Sequence, residues 1–200
     1  MVTTAQRLVE EILTRAQAAG ALGSRPIAEV IAHARGFVDA LPATVTTVID
    51  IGTGAGVPGL IIALDLPHVR VTLADRRVKR IDALQRAIRA LGWESRVQAL
   101  AGEVAELCTH PMHQGAYDAV VARGFGNPRV TLPLAVQLVR PGGVVIVSEP
   151  PAEFGSRWDL NWVQSLGCQA PERVGAVVRF HVEHSTGEVQ SPQGAPPRNS

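Results

Sequence analysis

Val48-Ile49-Asp50-Ile51-Gly52-Thr53-Gly54-Ala55-Gly56-Val57-Pro58-Gly59-Leu60 decides the fold of this 200-residue chain. It reads as a buried strand from Thr46 to Asp50, a glycine-rich turn, and a helix from about Pro58 to Leu66. Glycines at 52, 54 and 56 let the backbone take angles closed to other residues and let a ligand approach the main chain. Pro58 suits the first turn of a helix, and the free N–H groups at that helix end favour a carboxylate or phosphate. Asp75 closes the next strand about twenty residues further on, where doubly wound folds place an acid against ribose hydroxyls. A tight turn without a ligand also needs glycine; the strand before it, the helix after it and the acid at this spacing together point to ligand binding.

Working outward, short β-branched runs alternate with helical stretches, which predicts right-handed βαβ units and a parallel sheet. Strands are expected at Thr46–Asp50, Arg70–Ala74, Arg96–Ala99, Ala119–Ala122 and Val144–Ser148. Helices fit at Arg76–Leu91, Glu103–Cys108 and Asn127–Leu138, with two more, from Thr4 to Ala19 and from Pro26 through Val38, ahead of the sheet. The Arg76 helix is the clearest, with Ile81, Leu84, Ile88 and Leu91 on one stripe and Gly92 as its stop. A helix at Trp158–Leu166 is followed by strand-like runs, Cys168–Val174 and Ala176–His184, separated by a short glycine break that predicts an antiparallel hairpin. The expected fold is thus α/β: a doubly wound, mostly parallel, Rossmann-like sheet of seven strands ending in that hairpin. Residues 1–42 are expected to form a helical extension and 43–184 the ligand-binding domain. Residues 185–200, rich in Pro, Ser, Gly and Gln, are expected to be a disordered tail.

Gly54-Ala55-Gly56-Val57-Pro58-Gly59 also fits the dinucleotide pattern G-x-G-x-x-G. Three observations favour S-adenosylmethionine instead. Asp50, two residues before Gly52, would repel a pyrophosphate but attract the ammonium of a methionine moiety. The terminal hairpin replaces the second mononucleotide half, and no second glycine turn follows Asp75.

The run Asp50-Ile-Gly-Thr-Gly-Ala-Gly-Val-Pro-Gly59, followed by Val71-Thr-Leu-Ala-Asp75 and Lys79-Arg80, resembles the small-subunit ribosomal RNA guanine-N7 methyltransferase family, also called glucose-inhibited division protein B. The resemblance covers about residues 45–150. It implies a class I methyltransferase fold and a cofactor pocket formed by Gly52 and Val57, with Asp75 at the ribose and Glu103 and Val104 beside the adenine. It also implies a ligand-facing, possible catalytic role for Arg123, in Val120-Val-Ala-Arg-Gly124, just past a buried strand's C-terminal end. Two features depart from the family: the N-terminal region is short, and Ser148-Glu149-Pro150 stands where those relatives tend to have Lys-Gly, a charge reversal near the substrate.

Positive charge is concentrated. Residues 70–96 carry eight basic and three acidic side chains, whereas the rest of the chain is slightly acidic. Arg76, Arg77, Lys79 and Arg80, joined by Arg86 and Arg89, form a basic helix face suited to RNA phosphates, although a solvated helix surface looks the same. With 4% aromatic residues there is no base-stacking motif of the RRM kind. Methylation at guanine N7 needs little beyond positioning, since that nitrogen offers its own lone pair, and no general base stands out.

Cys108 and Cys168 lack C-x-x-C spacing and read as reduced thiols; neither follows the fourth strand, which argues against a covalent cysteine route. His110-Pro-Met-His113 and His181-Val-Glu-His184 have no ligand spacing for a metal. Ser148-Glu149-Pro150-Pro151 reads as a turn, and Trp158 and Trp162 as core. No apolar run approaches a bilayer span, so a cytoplasmic protein is expected. A methyltransferase acting on ribosomal RNA, one acting on a small molecule, and a non-catalytic nucleotide-binding module on the same fold remain open at this point.

Overall fold

The computed structural model describes residues 3–151, 153 and 155–183. Two helices, α1 (Thr4–Ala18) and α2 (Ile27–Ala40), lead into β1 (Thr47–Ile51), α3 (Gly59–Asp65), β2 (Arg70–Asp75), α4 (Val78–Leu91) and β3 (Val97–Ala101). The second half runs α5 (Val104–Thr109), β4 (Tyr117–Ala122), α6 (Pro128–Leu138), β5 (Val139–Ser148), α7 (Leu160–Ser165), β6 (Glu172–Val174) and β7 (Val177–His181).

The seven strands form one sheet in the order β3-β2-β1-β4-β5-β7-β6. β1 pairs in parallel with both β2 and β4, and β7 runs antiparallel between β5 and β6. Chain order reverses direction between β1 and β4, and in such sheets ligands bind outside the carboxyl ends of the strands at that switch point. β1 and β4 are buried along nearly their whole length, as strands covered by helices on both faces must be. One face packs α1 to α4 around Val9, Leu13, Phe37, Leu60 and Ile81. The other packs the later helices around Leu132, Leu138, Val163 and Phe180. The stripe of α2 (Val30, Ile31, Ala34, Phe37, Ala40) enters the first of these cores, and Arg179 Nη1 on β7 donates to the Ala40 carbonyl at 3.0 Å.

Element boundaries move where a side chain competes for backbone. α4 begins at Val78 rather than Arg76, because the Asp75 carboxylate accepts the Arg77 N–H at 2.9 Å and holds Arg77 extended. The predicted stop holds: Gly92 takes a left-handed conformation with φ 67°. α7 begins after Asp159, whose carboxylate accepts the Trp162 N–H at 2.8 Å, so Trp158 precedes the helix. Pro171 has no N–H to give a ladder, and the expected strand Cys168–Val174 reduces to Glu172–Val174 plus a single bridge from Cys168 to Val182. β5 extends back to Val139, directly after α6. The expected tail 185–200, and His184, lie outside the described residues.

Trp158 is buried, edge-on to Phe180 at 4.7 Å, and stacks on Trp162. Both cysteines are free and buried. Among the described residues no group of three or more His, Cys, Asp or Glu is placed to hold a metal, and no helix is long and apolar enough to cross a membrane.

Candidate active site

The carboxyl ends of β1, β2 and β4 meet around the glycine turn. Gly52, Gly54 and Gly56 have φ of 66°, 60° and 94°, the region that favours glycine. Two of them also answer to close approach. A Cβ on Gly56 would lie 2.6 Å from Leu60 Cδ1 and 2.8 Å from Leu84 Cδ2, so its lack of a side chain lets the turn pack on α3 and α4. A Cβ on Gly52 would lie 2.5 Å from Phe125 Cδ2. Phe125 comes from the loop after β4, and its ring therefore rests on the turn. The Val57–Pro58 peptide is cis, and Pro58 caps α3 instead of opening it; Val57 is buried beside it.

Asp50 holds the turn closed. Its Oδ2 accepts the Thr53 hydroxyl at 2.7 Å and the Gly59 N–H at 2.8 Å. Oδ1 is buried with no partner among the described residues. The residue is 0% exposed, and burial pushes its pKa up to about 7, against the opposing pull of those two hydrogen bonds and of Arg123. Contact with a ligand's ammonium was expected of Asp50 from the sequence; in this structure the carboxylate is fully buried, with Oδ2 spent on the turn and Oδ1 unpartnered among the described residues.

Asp75 faces the turn. One carboxylate oxygen accepts the Gly54 N–H at 3.0 Å and the other the Arg77 N–H at 2.9 Å. Arg80 Nη1 lies 3.2 Å from Oδ2, and the acid is 5% exposed. The hollow expected beside it is thus filled by two side chains, the Phe125 ring over Gly52 and the Arg80 guanidinium before Asp75. Glu103, at the start of α5, has a largely exposed side chain 3.5 Å from Arg76, while Val104 is buried. The structure brings Asp50, Gly52, Gly54, Gly56, Val57 and Asp75 together, with Glu103 and Val104 one strand further out.

The basic face divides accordingly. Arg76, Arg77 and Lys79 stand exposed, Arg76 in a surface ion pair with Glu103, while Arg80 is half-buried against Asp75. Arg77, Lys79, Arg80 and Arg86 edge a groove of about 1000 Å³ between α1 and α4, floored by Leu8, Ile12 and Ala87 and reaching Gly54. On the other side of the turn, Arg123 lines a second crevice of about 790 Å³ with His33, Glu149 and Arg157. Burial lowers the Arg123 pKa, and the field of Asp50 opposes that shift.

Glu149 corrects another expectation. Its carboxylate accepts Arg157 Nη2 at 2.7 Å and Trp158 Nε1 at 3.0 Å, and its side chain is 1% exposed. It presents no free negative charge to the crevice. Arg157, Phe125 and Arg173 went unnoticed in the sequence. For Phe125 a signal existed, an aromatic between two glycines two residues past Arg123; the arginines are placed by long-range packing and left none.

Over residues 3–149 the sequence matches the family described as GidB, rRNA small subunit methyltransferase G. The chain belongs to this family. Proteins named ribosomal RNA small subunit methyltransferase G from Nostoc punctiforme and Deinococcus radiodurans are 34% and 38% identical to it over 107 and 103 residues. These matches cover 54% and 52% of the chain and 43% and 40% of the relatives, so the chain spans less than half the length of the GidB proteins it matches. Among solved structures, a Corynebacterium glutamicum protein aligns with TM-score 0.63 at 17% identity, covering 92% of this chain and 94% of that one. An O-methyltransferase family protein from Burkholderia thailandensis aligns with TM-score 0.59 at 20% identity, covering 94% and 64%. At such identities these structures establish the Rossmann-like fold, and the match to GidB establishes the family.

Proposed function

We propose that the protein binds S-adenosylmethionine across the carboxyl ends of β1 and β2 and transfers its methyl group to small-subunit ribosomal RNA, at N7 of a guanine. One observation carries the reading: in a chain of the GidB family, a turn of left-handed glycines sits at the switch point of the sheet with a carboxylate from the next strand aimed into it. The names of the curated relatives support ribosomal RNA as the acceptor.

The residues fit this cofactor. The space over Gly52 is taken by the Phe125 side chain rather than by backbone, so in this reading the cofactor takes the place of that ring. Arg80 is the far end of a flexible side chain on Asp75, an ion pair that a ribose replaces by offering hydroxyl donors to the same carboxylate. In this reading Gly52 and Val57 line the cofactor, Gly54 and Gly56 shape the turn, Asp75 accepts from the ribose, and Glu103 and Val104 flank the adenine. When bound, the cofactor supplies an electrophilic methyl group on a sulfonium. The chain's own task is orientation, with Arg123 at the tip of β4 turning the acceptor toward the turn. N7 carries a free lone pair, so alignment and exclusion of water account for the rate. Arg77 and Lys79 supply phosphate contacts at the rim.

Isothermal titration with S-adenosylmethionine tests the cofactor, and absence of binding ends the proposal. Incubation with labelled cofactor and small-subunit ribosomal RNA, read by mass spectrometry of nucleosides, tests the acceptor; 7-methylguanosine is expected. Cofactor binding without RNA methylation would assign the fold to small-molecule methylation or to ligand sensing.

A further inference from the structure

The crevice beside Arg123 has an unbalanced lining. It gathers Arg25 from the loop before α2, Arg123 from just past β4, Arg157, and Arg173 from β6, with Glu149 its one acid among the described residues. Glu149 is committed to Arg157. Arg173 Nη2 donates to the Pro150 carbonyl at 2.5 Å, which ties it down without cancelling its charge. Arg25 and Arg123 make no ion pair with a described residue. They are close enough for the charge of each to act on His33 between them, whose pKa is lowered by burial first and then by Arg123 and Arg25. Three positive charges are left over, with Arg25 and Arg173 exposed and Arg123 half-buried.

An excess of like charges lining a crevice raises the local concentration of anions. A cofactor carboxylate balances only one of them. A single strand of nucleic acid brings one negative phosphate per nucleotide, and the crevice exceeds the lower bound of about 300 Å³ for a small-ligand pocket by more than twofold. Arg157 and Arg173 also lie beyond residue 149, where the family match ends.

We propose that this crevice holds the phosphate backbone of the acceptor strand, with Arg25 and Arg173 as phosphate-binding residues and Glu149 as the positioning residue that keeps Arg157 at its wall. The assignment rests on the RNA-methylation reading and adds where the strand lies.

The test is fluorescence anisotropy of a labelled single-stranded RNA of about 20 nucleotides with the full chain, across about 50 to 200 mM salt and without cofactor. Arg25→Ala and Arg173→Gln are compared with the unaltered protein; glutamine keeps a polar amide and removes the charge. Each is expected to weaken RNA binding roughly five- to tenfold and to reduce the slope of log K against log salt by about 0.7, the single-strand value per phosphate. Titration with S-adenosylmethionine should give the same affinity for both variants as for the parent. RNA binding by the parent with no change in either variant overturns this placement while leaving the methylation reading intact. A loss of cofactor affinity in place of RNA affinity also overturns it, assigning the cations to the cofactor carboxylate. Failure of the parent to bind RNA removes the RNA reading itself, and this placement with it.

Discussion

Replacing Asp50 by asparagine separates the charge of this carboxylate from its shape. Asp50 is fully buried, and its pKa is pushed up to about 7 by burial, against about 3.9 in an unfolded chain. Because the folded value lies above the unfolded one, the stabilising proton is fully present below about pH 4 and is lost as pH rises through 7. Linkage between those two values gives a loss of about 2–3 kcal/mol between about pH 5 and pH 8. At about 2–4 °C per kcal/mol for a domain of this size, that is roughly 5–10 °C in Tm. Asparagine keeps an oxygen for the Thr53 hydroxyl and the Gly59 N–H and puts an NH2 group where Oδ1 has no partner, so it mimics the protonated acid. The assay is thermal unfolding of both proteins in one buffer series, taking the difference in Tm at each pH so that every other titration cancels. The Asp50→Asn variant should gain on the parent by that amount from acid to alkaline pH. A difference that stays constant across the series refutes the buried, proton-holding carboxylate.

Asp118 should show the opposite sign: it accepts the N–H groups of Thr46 and Thr47 and the Thr46 hydroxyl, and with Arg140 these partners hold its pKa well below the carboxylate range despite burial. Its stabilisation is present above the unfolded pKa and lost as pH falls, so Asp118→Asn should cost about 2 kcal/mol at pH 7 and flatten the acid limb of a pH–stability curve. Gly52→Ala adds a Cβ at a left-handed position and against Phe125; we expect a stability loss of about 1–2 kcal/mol and, by titration calorimetry, cofactor affinity reduced at least tenfold. Parent-like affinity would argue against close approach to that turn. Glu149→Gln should weaken the hold on Arg157 and Trp158, lowering stability by about 1–2 kcal/mol, with a change in tryptophan emission as the local readout; unchanged emission and Tm would remove the tether.

The parts legible in the sequence were those with a local cause. The glycine turn, the apolar stripe of α4 and its Gly92 stop, and the closing hairpin each announce themselves within about twenty residues, because steric limits on φ and the helical period act on neighbours in the chain. The two misplaced helix starts had a common origin in side chains reaching backbone, Asp75 taking the Arg77 N–H and Asp159 capping α7, while the shortened strand before Val174 follows from Pro171, which has no N–H.

The sequence alone therefore determined the class of the sheet, the position of the turn and the acid that accompanies it. Only the tertiary structure decided how charges are spent. It buried Asp50 in the brace of the turn, set Arg80 and Phe125 over the site, neutralised Glu149 with Arg157, and drew Arg25, Arg123 and Arg173 around one crevice. Sequence spacing carries the sign and number of these groups. Whether a charge is desolvated, paired or left facing solvent depends on the distance to a partner dozens of residues away, which exists only once the chain has folded.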